Sequence, residues 1–373
     1  MKILIISNHS YMLYRFRRDL IQALQQDHQV VLSMPFVGHE TDFAAMGLRC
    51  IHTDVDRRGI NPVRDLKLLL TYWKQLKAER PDLVITYSIK PNIYAGLVCR
   101  LLGIPYCANV QGLGTAFQRK GLAQLVTILY KVALTRAKTV FFENEGNAGE
   151  FLRRKILPRE KITVLPGAGI RPEEYPLMPY PEEEPMRFLY LGRIMKEKGM
   201  DELFQAIHRL HGEMGHRVTL DLVGFFDDDY ETRVNELVES GIARFHGFQS
   251  DPRPYYAAAD CVVLPSYHEG LSNVLLEAAA TGRPVITTDI HGCRETVDPE
   301  ISGFLCPAGD VEGLYARMRE MALLPREVRA AMGLAAREKI TREFDKRTVV
   351  QMTLRALFSG DAAYPISIGE EAP

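Results

Sequence analysis

The chain has 373 residues, with 46 Lys/Arg against 47 Asp/Glu, 46 % hydrophobic and 25 % charged residues. That is the make-up of an ordinary soluble globular protein, and it excludes wholesale disorder, a collagen-like repeat and a nucleic-acid binder of uniform positive charge. The near-zero net charge hides an asymmetry: residues 1–167 hold 24 Lys/Arg against 13 Asp/Glu (+11), whereas residues 168–373 hold 22 against 34 (−12). A basic half suits an anionic partner such as a membrane surface, a polyphosphate or nucleic acid; the plainer reading is two solvated surfaces attracting each other across a cleft.

Taken in chain order, Met1-Lys2 runs straight into the apolar Ile3-Leu4-Ile5-Ile6, which reads as a strand, so no signal peptide is expected. Further strand patterns fall at 29–33, 50–53, 83–86, 106–110, 139–142 and 162–165, and helical periodicity at 14–25, 62–79, 93–102 and 122–136. Such alternation predicts a parallel sheet covered by helices on both faces. The stretch 171–185 holds five prolines and five glutamates, too much proline for a helix or central strand, and reads as a connector. Alternation then restarts, with strands at 187–191, 218–223, 244–245, 261–264 and 285–287 and helices at 201–210, 230–240, 274–280 and 311–321. The expected organisation is a Rossmann-like domain at 1–167, a linker at 168–185 and a second Rossmann-like domain at 186–346. Ligands of such sheets bind beyond the carboxyl ends of the strands. Residues 361–373, polar with two prolines, read as a flexible tail. Six scattered cysteines form no CxxC pair, and no apolar run approaches the ~20 residues of a membrane span, so a reduced, cytosolic protein is expected.

Two segments carry chemistry. Ser266-Tyr267-His268-Glu269-Gly270-Leu271-Ser272-Asn273-Val274-Leu275-Leu276-Glu277 follows a buried strand and leads into a helix, which puts Glu269 in the loop and Gly270–Asn273 at a helix N-terminus, where unpaired amides favour anions. Glu277 then falls about a turn below that end, where a carboxylate can take two vicinal hydroxyls; a capping Glu and a solvated Glu is the plainer alternative. Gly192-Arg193-Ile194-Met195-Lys196-Glu197-Lys198-Gly199 follows the first strand of the second half. Gly192 permits a tight turn, and Arg193 and Lys198 are placed to clamp a diphosphate, unless the run is only a solvated charged loop.

Glu269-x7-Glu277 with the Gly-Arg-x4-Lys-Gly loop resembles the signature of glycosyltransferase family 4, retaining nucleotide-sugar transferases of the GT-B fold. Val164-Leu165-Pro166-Gly167-Ala168-Gly169-Ile170, Gly282-Arg283-Pro284, Gly292-x2-Glu295 and Gly303-Phe304-Leu305 stand in the matching order. Phe16-Arg17-Arg18-Asp19, Ile89-Lys90-Pro91-Asn92, Val110-Gln111-Gly112-Leu113-Gly114 and Phe142-Glu143-Asn144 are similar to the branch that extends sugars on polyprenyl-diphosphate carriers for capsule, O-antigen or glycoprotein glycans.

The resemblance implies an α/β GT-B chain of two doubly wound domains facing a cleft. Its donor would be a UDP-sugar, its acceptor a polyprenyl-linked saccharide, and the basic N-terminal domain would lie on the anionic inner membrane leaflet. Arg193 and Lys198 would hold the donor diphosphate and offset the charge developing on it; Glu269 would bind the donor sugar and Glu277 the ribose. Gly192, the backbone of Gly270, Leu271, Ser272 and Asn273, and the segment His246-Gly247-Phe248 would complete the donor site. No cofactor or metal is implied, and attack from the front face needs no protein nucleophile. The chain departs from many relatives in two places: Asn8-His9-Ser10 stands where they have a Gly-Gly turn, and Gln111 where they have a histidine. His9 and Gln111 are therefore the residues of interest on the acceptor side. The last helix, about 347–358, would pack back on the first domain.

Asp227-Asp228-Asp229 invites a metal reading, but acidic residues at a helix start suit the macrodipole without one. The stretches 66–76, flanked by Arg57, Arg58, Arg64, Lys67, Lys74 and Lys77, and 122–134, flanked by Arg119, Lys120, Arg136 and Lys138, read as core helices with basic faces or as amphipathic helices at a membrane. No nucleic-acid-binding motif accompanies them. The rival functions are a catalytically silent sugar-nucleotide-binding subunit and a sugar-nucleotide epimerase on the same fold.

Overall fold

The structure, a computed structural model, describes every residue except 57–60, 115–116, 118–119, 183 and 359–373. Arg57, Arg58, Arg119 and the expected tail at 361–373 lie outside the described residues. The chain forms two compact units, one of Met1–Ala168 joined by the C-terminal helix, the other of Gly169–Asp345.

The first unit runs β1 (Lys2–Ile6), α1 (Ser10–Asp27), β2 (Gln29–Met34), α2 (Glu40–Ala45), β3 (Arg49–His52), α3 (Pro62–Glu79), β4 (Leu83–Tyr87), a π-helical turn at Pro91–Ala95, α4 (Gly96–Leu102), β5 (Tyr106–Val110), α5 (Lys120–Leu134), β6 (Val140–Phe142), α6 (Glu145–Arg153) and β7 (Ile162–Val164). The strands are parallel in the order β3-β2-β1-β4-β5-β6-β7, with Ile3 opposite both Val30 and Leu83. Buried on both faces, they are nearly continuous apolar runs, which is why the sequence displays them. α1 turns Leu13, Leu20, Ile21 and Leu24 onto one face, and α3, α4 and α5 cover the other with Leu68, Tyr72, Val98, Val126 and Tyr130. α3 starts where it does because the Asn61 side chain accepts from the amides of Val63 and Arg64 and Pro62 has no amide to satisfy.

The second unit runs β8 (Met186–Leu191), α7 (Met200–Met214), β9 (Val218–Val223), α8 (Glu231–Glu239), β10 (Ala243–Phe245), α9 (Arg253–Ala258), β11 (Cys261–Leu264), α10 (Asn273–Ala280), β12 (Val285–Thr288), β13 (Gly303–Cys306), α11 (Val311–Leu323) and α12 (Arg326–Glu343). Its strands, again parallel, lie in the order β10-β9-β8-β11-β12-β13. The chain then crosses back as α13 (Lys346–Phe358), whose Val349, Leu354 and Leu357 join the α1 side of the first unit.

Sequence patterning misses α2, α6, α9, α12 and β13. α12 escapes because it buries small residues, Gly333 and Ala336, beside Met332 and Ile340; a Cβ on Gly333 would lie 2.0 Å from the Gly282 carbonyl oxygen. The expected linker is a correction. From Gly169 onward the chain belongs to the second unit: Tyr175 is in its core, the Met178 amide donates to the Thr281 carbonyl at 3.2 Å, and Tyr180 Oη donates to the Asp260 carbonyl at 2.8 Å. Proline denies this stretch regular structure, and its carbonyls are satisfied instead by buried side chains such as Arg283.

Candidate functional site

In a doubly wound sheet the strand order reverses at one point, and the loops leaving the two strands there open a crevice. In the second unit that point lies between β8 and β11. The loop after β8 carries Gly192 to Gly199, and the loop after β11 carries Ser266 to Ser272. The two are tied together: the Tyr267 amide donates to the Glu197 carbonyl at 2.9 Å, and Lys198 Nζ is ion-paired with Glu269 Oε1, which also accepts from Ser266 Oγ at 2.8 Å. Arg193 pairs with Asp227 Oδ2 at 2.7 Å, and its carbonyl accepts from Tyr190 Oη at 2.5 Å. Burial, with Glu269 nearby, pushes the Tyr190 hydroxyl well above its ordinary value, so it stays a donor.

Backbone proximity makes glycine obligatory at several positions around these loops, Gly199 and Gly224 showing the closest approaches. Gly199 has φ +72°, and a Cβ there would sit 2.1 Å from the Pro265 carbonyl oxygen. A Cβ on Gly224, after β9, would lie 1.8 Å from the Gly192 carbonyl oxygen. The loops after β8, β9 and β11 therefore pack backbone on backbone around the crevice.

Glu277 is buried on α10, and its Oε2 accepts from Tyr256 Oη at 3.0 Å. Ser272 is the N-cap of α10, its side chain accepting from the Leu275 amide. Its own amide donates to the Gly292 carbonyl at 2.9 Å, so the expected row of anion-binding amides from Gly270 to Asn273 is corrected: the Ser272 amide is spent inside the protein. The Leu271 side chain is buried in the core, which leaves that residue only its backbone for a ligand. The Phe248 ring is 57 % exposed, with its centroid 6.3 Å from that of Phe225. Beside it, the Gly224 amide donates to the Gly247 carbonyl at 2.9 Å and His246 Nε2 bonds Asp221 Oδ1 at 2.7 Å.

The acidic triplet also corrects expectation. α8 has Tyr230 at its N-cap with no side-chain cap, whereas Asp227 holds Arg193 and Asp228 Oδ2 accepts from the Lys196 amide at 2.9 Å. Two of the three aspartates organise the cationic loop, and among the described residues no group of three His, Cys, Asp or Glu is placed to hold a metal.

In the first unit the reversal lies between β1 and β4. Ser88, at φ +77°, donates from Oγ to Asn8 Oδ1 at 2.8 Å. A pocket of about 180 Å³ opens there, lined by Asn8, Ser88, Lys90, Asn109, Gln111 and Tyr130 among others. Gln111 Nε2 donates to Met12 Sδ at 3.4 Å, and Lys90 Nζ pairs with Asp65 at 2.6 Å. His9 caps α1 through its backbone alone, its amide donating to Ser7 Oγ at 3.3 Å, and it does not line this pocket. Ser88 and Tyr256 were not legible as site residues, because each acts through a partner far away in sequence; Asn8 stood out only as a departure from the Gly-Gly turn and Asp227 only as part of a metal reading. Ser266, at the carboxyl end of β11, was visible but carried no assigned role.

Comparison with known proteins follows the same division. Residues 15–168 match the glycosyl transferase 4-like domain and residues 185–323 the glycosyl transferases group 1 domain. The N,N'-diacetylbacillosaminyl-diphospho-undecaprenol alpha-1,3-N-acetylgalactosaminyltransferase of Campylobacter jejuni is 27 % identical over 95 % of this chain and 98 % of its own. An Escherichia coli UDP-Gal:alpha-D-GlcNAc-diphosphoundecaprenol alpha-1,3-galactosyltransferase is 24 % identical over 74 % of this chain and 75 % of its own. Among solved structures, Anabaena Alr3699/HepE in complex with UDP-glucose matches with a TM-score of 0.79 at 18 % identity, over 96 % of this chain and all of that one (100 %). That likeness shows the fold, two Rossmann-like units of the GT-B class.

Proposed function

The chain belongs to the glycosyltransferases, and from that premise we propose that it moves a hexosyl or N-acetylhexosaminyl group from a UDP-sugar to a hydroxyl of a polyprenyl-diphosphate-linked saccharide in cell-surface polysaccharide or glycan synthesis. The observation that carries the donor half is the joined pair of loops at the β8/β11 reversal, where Lys198, Glu269 and Ser266 are bonded together in the same unit as Arg193 and the buried Glu277. The acceptor class rests on the named substrates of the two lipid-linked sugar transferases above.

In this reading Arg193, with its planar fork, and Lys198, a point charge with three donors, take the diphosphate. Before donor arrives, Asp227 and Glu269 hold both cations in place, so little reorganisation remains for the reaction. Glu277 takes the ribose hydroxyls, Glu269 the sugar hydroxyls, and the backbone by Phe248 the base. As the bond from the anomeric carbon to the diphosphate oxygen breaks, negative charge grows on UDP and the two cations stabilise it. The acceptor oxygen attacks from the same face, its proton passing to the departing phosphate oxygen, and configuration is retained without a protein nucleophile. His9 and Gln111 act on the acceptor side. No metal takes part; the engagement of Asp227 and Asp228 by the cationic loop supports this.

We further propose that the first unit rests on the anionic inner face of the membrane. Supporting this, Leu101, Leu125, Ile128 and Val132 are exposed on α4 and α5 alongside the half-buried Arg100 and the exposed Lys131 and Arg136, while Val126, Tyr130 and Ala133 bury the opposite side of α5. No helix among the described residues is long and apolar enough to cross a membrane.

The test is transfer of radiolabelled sugar from UDP-, GDP-, ADP- and TDP-sugars to undecaprenyl-diphosphate-linked saccharides, with and without EDTA. Transfer from a UDP-sugar that EDTA leaves unchanged supports the reading. Binding of UDP-sugars without transfer to any lipid-linked acceptor favours a silent binding subunit, and absence of nucleotide binding overturns the donor assignment.

A further inference from the structure

The Glu277 carboxylate does not orient itself. Tyr256 is fully buried on α9, and its Oη lies 3.0 Å from Glu277 Oε2 and 3.4 Å from the Val274 carbonyl. A phenol has one proton to give, and the shorter, charge-assisted bond to the carboxylate takes it. The backbone of α9 is fixed in turn: Arg283, also fully buried, donates from Nε to the Tyr256 carbonyl at 2.8 Å and from its other nitrogens to the carbonyls of Ala257 at 3.2 Å and Pro179 at 2.6 Å. A guanidinium held by carbonyls cannot swing away without leaving a buried charge unsatisfied, so the Tyr256 ring has a rigid base.

We propose that Tyr256 is a positioning residue that sets the plane of the Glu277 carboxylate and so makes the protein select ribose over 2′-deoxyribose in its nucleotide ligand. This deepens the donor reading and rests on it. With one oxygen fixed by Tyr256, the carboxylate meets a vicinal diol in a single orientation. Loss of the phenol's bond loosens that orientation, and discrimination between one and two hydroxyls falls. A tyrosine that only filled space in the core would contribute to the binding of both kinds of nucleotide alike.

The experiment is calorimetric titration of UDP, GDP and ADP, each against its 2′-deoxy counterpart, into the full chain as wild type, Tyr256→Phe and Glu277→Ala, with Tyr256→Met should the phenylalanine variant fail to fold. For the nucleotide that binds, the wild type prefers ribose, and Glu277→Ala abolishes that preference. Tyr256→Phe lowers the preference about tenfold, the loss of one hydrogen bond to a charged group, and leaves deoxynucleotide affinity within about twofold. The proposal is overturned if Tyr256→Phe keeps the full preference while Glu277→Ala loses it, or if the Tyr256 variants weaken both nucleotides equally. A preference that survives Glu277→Ala refutes the ribose assignment itself, and binding of none of the three nucleotides overturns both.

Discussion

The two sheets reverse at equivalent places, yet the loops that meet there are built from different chemistry. At the β8/β11 reversal the side chains are charged and already paired, Lys198 with Glu269 and Arg193 with Asp227, on backbone so close that Gly199 and Gly224 admit no Cβ. At the β1/β4 reversal they are mostly amides and hydroxyls, Asn8, Ser88, Asn109 and Gln111, with Lys90, paired with Asp65, as the one charged side chain lining the pocket. A site for a diphosphate must hold its cations in place before the ligand comes, because charge is costly to rearrange. A site for a neutral polyol can be built from hydrogen-bonding groups.

The contrast predicts unequal costs. Lys198→Ala should lower kcat by about 10²–10³-fold, the usual loss when a charge-stabilising donor is removed, whereas Gln111→Ala should cost about tenfold or less and act mainly on the acceptor KM; steady-state rates with donor and acceptor varied separately decide it. An equal loss at both positions would break the distinction. Gly199→Ala should destabilise the second unit by about 3 kcal/mol or more, since it adds a backbone clash to a positive φ, while Gly121→Ala, in the open on α5, should stabilise the first unit by up to about 1 kcal/mol; denaturant melts read both. Glu277→Ala should raise the donor KM about 10-fold with kcat little changed, as for loss of binding felt equally before and during reaction.

The smallest effect concerns acid. Bonds from Arg49 and Lys2 hold the Glu79 carboxyl of the first unit below its ordinary value, whereas burial pushes the Asp260 carboxyl of the second unit up. Stability from Glu79 is complete above the unfolded glutamate value of about 4.3 and is lost as pH falls through its depressed folded value. Asp260 has the opposite sign: its contribution is present below about 3.9 and is lost as pH rises through its raised value. Melts of wild type and Glu79→Gln should therefore differ most near neutrality and converge below about pH 4, while Asp260→Asn should gain on wild type as pH rises.

Much of this architecture was legible because fully buried parallel strands are unbroken apolar runs: 106–110, 218–223 and 261–264 coincide with β5, β9 and β11. α12 was not, because a helix that buries glycine and alanine beside a loop shows no wide apolar stripe. At the candidate site, the places of Arg193, Lys198, Glu269 and Glu277 in loop and helix could be read from spacing, since strand, loop and helix fix them locally, whereas their roles are what the family resemblance implies. Their partners could not. Asp227 lies 34 residues from Arg193, and Tyr256 is 21 from Glu277 on a helix with no sequence signal. The connector at 171–185 misled for a related reason, as proline reports missing regular structure and says nothing of what the segment packs against.

Hydrogen exchange of the full chain with and without UDP-glucose tests the central claim most directly, that the charged reversal of the second unit is the nucleotide-sugar site. Slowed exchange in 192–199 and 266–277, with the loops after β1 and β4 unaffected until acceptor is added, is the predicted result. Protection confined to the first unit, or binding that leaves 192–199 and 266–277 unprotected, would contradict it.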